Sequence, residues 1–280
     1  MSNINTIEKL IQLYESHDEI LTERLWRSFQ FRIHYFMSGR MGLQTDTLFD
    51  LHTHLRFIYQ RARYRYPVSP WEVIHVNPRF VSEAVPFAVT LGLGQIVGGG
   101  WDQIKDTSIR KVRSTTVNGL YQRFVLHYEW KDTVYVKDRI ENKSGNIKVS
   151  GYRSINEFIN IRCAYLDELF FDIKKNGYTP NYKKGHRIPR QDSAANEAIS
   201  HSRYEPLVAI SRNGEIMWVS GFHRYTIARI LEINKIPVNV VVRHREWVSK
   251  RQKIIENKLA INNGPSKYCN HPDVEYYNPS

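Results

Sequence analysis

Hydrophobic residues recur with a helical period along the N-terminal part of the chain, which predicts three helices within residues 4–65. The first two are marked by apolar side chains three or four positions apart, from Ile7 to Tyr14 and from Leu25 to Phe36. The third begins at Asp46 and ends before Pro67, with its apolar positions at Leu48, Leu51, Leu55 and Ile58. Residues 1–66 are therefore predicted to form a helical N-terminal region.

The pattern changes after Pro67, where short alternating segments predict strands. Trp71 to Val76 alternates between apolar and polar positions. Residues 67–150 are predicted to form a mixed α/β region, which contains a glycine-rich loop and a helical run from Val117 to Tyr135. Residues 151–280 are predicted to form a second α/β unit, whose first helix begins with the Ser-x-x-Glu capping box of Ser154 and Glu157.

The most regular pattern lies between residues 208 and 242. Two apolar strands, Val208–Ser211 and Ile216–Val219, flank Asn213-Gly214, a pair that supplies the positive φ angles of a tight hairpin turn. A helical run from Thr226 to Ile233 follows, and Val238–Val242 is the last predicted strand.

The segment Ser220-Gly221-Phe222-His223-Arg224-Tyr225 joins the hairpin to this helix. A glycine followed by His-Arg at a strand-to-helix junction brings backbone N–H groups, the positive end of a helix and a guanidinium to one point. These six residues are therefore predicted to bind phosphate.

The order of strand, turn, strand, Gly-x-His-Arg, helix and strand resembles the ParB/sulfiredoxin-like superfamily. An upstream helix that closes with a glycine is also typical of that superfamily, and the run from Leu166 to Gly177 fits it. The resemblance covers roughly Arg162 to Arg243. It implies a ParB/sulfiredoxin-like nucleotide-binding domain, so the whole chain, with its helical N-terminal region, is expected to be α+β.

The residue types distinguish between branches of this superfamily. Sulfiredoxins use a cysteine directly before His-Arg, and Phe222, which has no thiolate, stands there; this argues against sulfinic acid repair. Chromosome-partitioning ParB proteins carry Glu-Arg-Arg and continue into a helix-turn-helix, whereas about forty residues follow the last strand here. The small-molecule kinases, typified by the free serine kinases with Gly-His-His-Arg, are the most similar branch. One departure from them is Ser220, because those kinases have an acidic residue before the glycine.

This resemblance implies a kinase that uses ATP or ADP with Mg²⁺. Transfer of a phosphoryl group to a hydroxyl requires charge stabilisation on the phosphates and a carboxylate that accepts the hydroxyl proton. His223 and Arg224 fit the first role. Asp167 or Glu168 is the expected base, because the helix that carries them borders the nucleotide site in the resembled fold; an ordinary solvated helix face is the alternative.

Two further segments are candidates for the site. The insertion that begins at Asn181 is a candidate lid, which would hold phosphate through Lys184, His186 and Arg187, with disorder as the alternative. The three glycines Gly98–Gly100 are costly to order unless their backbone approaches something closely. The predicted substrate-binding residues near this loop and at the end of the last strand are Trp101 as a stacking platform, Asp102 as a metal ligand or base, Arg243 and His244.

A broader likeness bears on the acceptor. Gly99-Gly100-Trp101-Asp102, Trp130-x-Asp132-Thr133 and Arg243-His244-x-x-Trp247 are similar to segments of uncharacterised ParB-like proteins that are associated with surface-glycan genes. The expected acceptor is therefore a hydroxyl of a small molecule or of a surface-glycan sugar.

The charge of the chain adds alternatives. Lys and Arg number 40 against 28 acidic residues, giving a net charge of +12, which favours an anionic partner. DNA is such a partner, so a ParB-like DNA-binding CTPase or nuclease is a second hypothesis, and a nucleotide-sensing module without catalysis is a third. The predicted helix around Phe29, with its arginines, also fits an anionic membrane surface, although a helix packed on the core with its arginines extended to solvent is the favoured alternative.

Location and metal content follow from what the sequence lacks. No run of eighteen apolar residues occurs, and the N-terminus lacks a charged segment followed by an apolar one, so a cytoplasmic protein is expected, peripheral to the inner membrane face if it binds lipid. The 2 cysteines have no metal-ligand spacing and are expected to be incidental.

Overall fold

A computed structural model describes residues 45–85, 92–103, 108–109, 114–141, 151–181, 183, 189, 204–259, 268 and 270–275. The first two predicted helices and the candidate phosphate ligands Lys184, His186 and Arg187 lie outside these ranges. No helix among the described residues has a stretch that is long and apolar enough to cross a lipid bilayer.

A five-stranded sheet lies at the centre of the fold. Its strands are β1 (Val73–Val76), β2 (Gln95–Val97), β3 (Leu207–Ile210), β4 (Ile216–Ser220) and β5 (Ile236–His244). β3 and β4 form an antiparallel hairpin, and β3 runs parallel to β5. The other edge of β5 pairs with β1 in antiparallel and with β2 in parallel orientation. The sheet is therefore mixed, with β5 in its middle.

The nine residues of β5 are all buried. A strand that is covered on both faces needs a nearly continuous apolar run, and β5 supplies one that is interrupted by Asn239. The Asn239 side chain accepts a hydrogen bond from the Glu205 backbone N–H at 3.0 Å and donates one to the Trp71 carbonyl at 3.4 Å. This polar residue therefore ties the start of β3 to the segment before β1.

Eight helices pack around the sheet within the described residues. They are α1 (Thr45–Arg63), α2 (Ser114–Phe124), α3 (Val134–Glu141), α4 (Ile155–Glu157), α5 (Ala164–Asn176), α6 (Phe222–Ile230), α7 (Arg245–Leu259) and α8 (Pro272–Glu275). A π-helical stretch, Phe158–Cys163, joins α4 to α5, and a 3₁₀ turn, Trp130–Asp132, precedes α3.

The helix α6 is buried on two sides. Phe222, Tyr225 and Ala228 pack into the core on one face of the sheet. Ile227 packs into a separate core that is built mainly by α2, α3 and α5. The opposite face of the sheet is covered by Phe49 of α1 and by the residues around β2. The helix that carries the predicted phosphate motif is therefore fixed between the sheet and a helical layer.

The structure confirms the α+β class. α1 also matches the third predicted helix. The Ser154 side chain accepts a hydrogen bond from the Glu157 N–H at 3.1 Å, as expected of the first half of a capping box. The Glu157 carboxylate accepts from the N–H of Arg153, one residue before the predicted position.

Three local predictions need correction. The predicted run from Val117 to Tyr135 is two helices, because α2 ends at Phe124 and His127 turns the chain with a φ of 58°. α6 begins at Phe222 and not at Thr226, because Gly221 allows the chain to turn directly into the helix. In the hairpin turn only Gly214 has a positive φ, of 85°, while Asn213 does not.

Strands from both sides of the boundary predicted at residue 150 pair in the one sheet. β1 and β2 belong to the 67–150 region, while β3, β4 and β5 belong to the 151–280 region. Residues 142–150, next to that boundary, lie outside the described residues.

A buried ion cluster holds α8 against β5 and α7. The Asp273 carboxylate accepts hydrogen bonds from Arg243 Nε at 3.0 Å and from Trp247 Nε1 at 2.8 Å, and its backbone carbonyl accepts from Arg251 Nε at 2.8 Å. Burial alone would raise the pKa of Asp273, but Arg243, Arg251 and Trp247 outweigh it and hold the pKa below its ordinary value. Asp273 therefore stabilises the fold at neutral pH, and this contribution is lost only as the pH falls through the lowered pKa.

Asp273→Asn should lower the free energy of unfolding by about 3–5 kcal/mol at pH 7, because it leaves the buried charges of Arg243 and Arg251 uncompensated. Urea unfolding followed by circular dichroism measures the change. The matched control is Glu275→Gln, since Glu275 is exposed on the same short helix and should stay within about 0.5 kcal/mol of the unmodified protein. Equal midpoints for the two variants would contradict the role of Asp273.

Candidate functional site

The predicted phosphate motif lies where β4 turns into α6. Ser220 ends the strand, Gly221 has a φ of 83° and a ψ of 29°, and the helix starts at the next residue. A Cβ atom at position 221 would come within 2.8 Å of the Pro206 Cβ. Both the left-handed backbone and this contact require glycine, so any side chain at position 221 would disturb the junction.

His223 is held by a residue from the helical layer. Its Nε2 and the Tyr135 hydroxyl are hydrogen-bonded at 2.9 Å, and the two rings meet edge to face with their centroids 5.6 Å apart. Tyr135 is buried near the start of α3, and the Arg139 guanidinium lies 3.9 Å from the centre of its ring. The orientation of His223 therefore depends on α3, a helix that the sequence prediction did not connect with the site.

Arg224 lies inside a polar cluster beneath the first turn of α6, with its side chain 7% exposed. Its Nη1 lies 3.4 Å from the Tyr178 hydroxyl and 3.6 Å from Glu205 Oε2, and its Nη2 donates to the Tyr204 carbonyl at 3.2 Å. Burial raises the pKa of Tyr178 to about 12, so this phenol keeps its proton at neutral pH. Arg224 therefore has Glu205 as its anionic partner in this cluster.

Glu205 lies directly before Pro206, the residue that contacts Gly221. Its Oε1 accepts a hydrogen bond from the Asn181 N–H at 2.6 Å. Its Oε2 is buried and accepts no hydrogen bond within the described part of the chain. Burial raises the pKa of this carboxyl, and the Asn181 hydrogen bond and the Arg224 charge offset the increase only in part. The junction thus contains a buried carboxylate with one oxygen available.

The other predicted members of the motif have structural contacts. Phe222 is buried in the sheet core, and the Tyr225 hydroxyl donates to the Val81 carbonyl while its ring lies 4.4 Å from the ring of Trp218. Ser220 is half-buried and pairs with Leu207. His223 and Arg224 are therefore the side chains of this motif that stay candidates for phosphate binding.

Asp167, the first expected base, is fully engaged. Its two oxygens accept hydrogen bonds from Arg123 Nε at 3.0 Å, Arg123 Nη2 at 3.1 Å and Trp130 Nε1 at 3.0 Å. The Trp130 ring lies 5.8 Å from the ring of Tyr135, so Asp167 reaches His223 through two intervening side chains. In this arrangement Asp167 holds the turn before α3. Glu168, the other expected base, is exposed on α5.

The predicted substrate-binding residues lie at the other end of β3. Ser220 pairs with Leu207 at the start of that strand, whereas Arg212 follows its end, so the two groups are separated by about 16 Å of strand. Asp102 meets Arg212 there, and Trp101 packs against His244 with ring centroids 5.6 Å apart. The structure therefore brings Trp101, Asp102 and His244 together, but not at the Gly221 junction.

Arg212 occupies both oxygens of Asp102. Its backbone N–H donates at 2.8 Å, its Nε at 3.1 and 3.0 Å, and its Nη2 at 2.8 Å. Burial alone would raise the pKa of Asp102, but the Arg212 hydrogen bonds outweigh it and lower the pKa. A carboxylate bound in this way does not fit the role of a metal ligand. Within the described ranges, no three His, Cys, Asp or Glu residues are grouped so that they could hold a metal ion.

Contacts near the end of β3 explain why the loop at Gly98–Gly100 is rich in glycine. The Gly99 carbonyl accepts hydrogen bonds from Arg212 Nη2 at 2.6 Å and from His244 Nε2 at 2.9 Å, and its φ is 86°. A Cβ at Gly98 would lie 2.8 Å from Arg245 Nη1. Trp101 is 2% exposed and donates to the Val97 carbonyl, so it offers no open face for stacking. Arg243, as described above, points to Asp273.

Tyr135, Tyr204 and Glu205 are site residues that the sequence pattern did not predict. Tyr135 and Tyr204 come from segments whose approach to Gly221 depends on the tertiary fold. Glu205 carried one usable signal, since an acid followed by proline opens the strand that pairs with the motif strand.

Comparisons with protein-family models, curated proteins and solved structures give no match to this chain. The resemblance to the ParB/sulfiredoxin-like superfamily therefore stays a prediction, which rests on the hairpin, the Gly-x-His-Arg junction and the helix that follows.

Gly221→Ala should lower the free energy of unfolding by at least about 2 kcal/mol, because it adds left-handed strain to a contact with Pro206 that has no room for a methyl group. Gly100→Ala is the control, since its φ is not positive and a Cβ there would have no neighbour closer than 3.9 Å. Urea unfolding measures both variants. If both unfold at the same midpoint, the close contact at the junction does not exist as described.

Proposed function

We propose that this protein is a nucleotide-dependent kinase, which transfers a phosphoryl group from ATP or ADP to a hydroxyl of a small molecule or surface-glycan sugar. The observation that carries the proposal is the convergence of His223 and Arg224 on the first turn of α6, directly after the left-handed Gly221. A helix start, an imidazole and a guanidinium together favour the binding of phosphate oxygens.

The side chains have separate tasks in this proposal. His223 would donate a hydrogen bond to a phosphate oxygen, while its contact with Tyr135 fixes the ring orientation. Arg224 would supply the fixed positive charge that phosphoryl transfer requires. Both side chains are held by other parts of the fold before any ligand binds, which reduces the entropy that binding has to overcome.

Mg²⁺ would enter as the nucleotide complex. This ion keeps several waters and binds largely through phosphate oxygens, so it does not require a dedicated group of protein ligands. Asp102, the residue predicted to hold it, is committed to Arg212 and does not fit this role.

Two residues, Asp167 and Glu168, are candidates for the base that accepts the hydroxyl proton. For Asp167 to act as the base, it would have to leave Arg123 and Trp130, whereas Glu168 is exposed and carries no such restriction. The residues predicted to bind the acceptor lie at the end of β3 that is remote from the Gly221 junction, so we do not assign acceptor binding to them. We also propose a cytoplasmic location, peripheral to the inner membrane face only if the protein binds lipid.

His223→Asn should reduce nucleotide-dependent phosphoryl transfer to background and weaken MgATP binding roughly tenfold or more, because a hydrogen bond to a charged phosphate is lost. The melting temperature should change by less than about 3 °C, since His223 is half-buried and its hydrogen bond to Tyr135 contributes only about 1 kcal/mol to stability. Transfer from γ-labelled ATP to a panel of sugars and amino acids, together with calorimetry, measures the two effects.

The control is His127→Asn, because His127 is exposed in the turn after α2 and asparagine tolerates its positive φ. This variant should behave like the unmodified protein. A His223→Asn variant that binds MgATP with unchanged affinity would rule out the proposed phosphate site, and a large loss of stability would point to a structural histidine.

The second candidate, a DNA-binding CTPase or nuclease, is favoured by the net charge of +12. Gel retardation of duplex DNA at increasing salt, with and without CTP, distinguishes it from the kinase. Salt-sensitive retention that responds to CTP, in a protein that transfers no label from ATP, would favour this candidate instead.

A further inference from the structure

The Glu205 side chain is 3% exposed and lies beneath the junction that is proposed to bind phosphate. Its position is fixed from three directions. Asn181 donates to Oε1 at 2.6 Å, Asn239 accepts from the Glu205 backbone N–H at 3.0 Å, and the next residue, Pro206, is the one that Gly221 contacts. A carboxylate in such a position cannot move away from Arg224 without disturbing the start of β3.

The contact between Glu205 and Arg224 is incomplete. Oε2 lies 3.6 Å from Arg224 Nη1, which is within the range of an ion pair but too long for a hydrogen bond. Oε2 is buried and accepts no other hydrogen bond from the described residues. A buried carboxylate oxygen in this state is a favourable place for a proton, and burial does raise the pKa of this carboxyl.

The groups around Glu205 are otherwise mostly neutral. α6 contributes Arg224 and, one residue earlier, His223, and the segment after α5 contributes the Tyr178 phenol and the Asn181 backbone. β5 contributes the neutral Asn239. Tyr204 brings one more carboxylate into the vicinity, because its hydroxyl donates to Asp50 Oδ1 of α1 at 2.9 Å. Among the residues that the structure describes, Arg224 is therefore the cation that acts most directly on the charge state of Glu205.

We propose that Glu205 is a positioning residue that couples anion binding at Arg224 to the uptake of a proton by its own carboxylate. The inference rests on the proposed function, since it assumes that phosphate oxygens approach Arg224. While Glu205 is ionised it neutralises the guanidinium. A phosphate group competes with the Glu205 carboxylate for the Arg224 guanidinium. When Oε2 takes up a proton from solvent, Glu205 becomes neutral, and the positive charge of Arg224 is then balanced by the phosphate alone. By linkage, anion binding and proton uptake then strengthen each other.

Replacing Glu205 should change the affinity for MgATP in the opposite direction to the replacement of a purely structural ion-pair residue. Glu205→Gln mimics the protonated form, so it should bind MgATP about tenfold more tightly than the unmodified protein at pH 7.5. The affinity of the unmodified protein should rise as the pH falls from 8 towards the raised pKa of Glu205, whereas Glu205→Gln should show a flatter profile. A residue that merely supports the fold would weaken binding when it is replaced.

Isothermal titration calorimetry with MgATP, in two buffers of different ionisation enthalpy, measures the number of protons taken up. The unmodified protein should take up more protons than Glu205→Gln. Titration of the free nucleotide is common to both and cancels in the difference. Glu215→Gln is the matched control, because Glu215 is exposed at the other end of the same hairpin and should behave like the unmodified protein.

The outcomes separate this inference from the proposed function. An unmodified protein that binds no MgATP would refute the proposed function. Binding with equal proton uptake in both proteins, or with weaker affinity in a folded Glu205→Gln, would overturn the coupling and leave the kinase proposal intact. Melting curves check the fold of the variant. If it does not fold, the pH profile of the unmodified protein decides, since a flat profile overturns the coupling.

Discussion

The contact between Gly221 and Pro206 is the constraint on which the rest of the site depends. Because no side chain separates the end of β4 from the residue before β3, the chain turns into α6 within one left-handed residue. That turn puts His223 and Arg224 on the first helical turn and Glu205 directly beneath it. A larger residue at 221 would push the helix away from the sheet and separate these three side chains.

The two layers around α6 explain how this turn is kept in place. The sheet core holds the helix through Phe222 and Tyr225, and the helical layer holds it through Ile227 and the hydrogen bond between Tyr135 and His223. Asp167 belongs to the same support, because it fixes Trp130 beside Tyr135. In this structure Asp167, one of the two expected bases, thus helps to position Tyr135, which in turn contacts His223.

The sequence predicted the parts of the fold that depend on local pattern. The hairpin, the glycine junction, the helix after it and the buried strand β5 were all recognisable, because alternation, a Gly residue and an apolar run each have a direct structural cause. The class α+β followed from the resemblance that these elements carry, together with the helical N-terminal region. The sequence could not predict which ends of the strands come together, since that depends on the order and direction of pairing.

The contacts of the predicted substrate-binding residues show the same limit. Asp102 and Arg212 are 110 residues apart, and Arg243 and Asp273 are 30 apart, so neither ion pair leaves a local signature. An acid beside glycines and an Arg-His pair at a strand end suggested ligand chemistry, but long-range partners satisfy them. Glu205 was not predicted as a site residue, because its burial and its incomplete contact with Arg224 exist only in the folded chain.

The central claim is that nucleotide phosphates bind where Gly221 meets α6. The most direct measurement is a crystal structure of the protein with Mg²⁺ and a non-hydrolysable ATP analogue. The account predicts phosphate oxygens within about 3 Å of the His223 imidazole and the Arg224 guanidinium. A triphosphate bound at another surface, such as the end of β3 near Arg212, would contradict it.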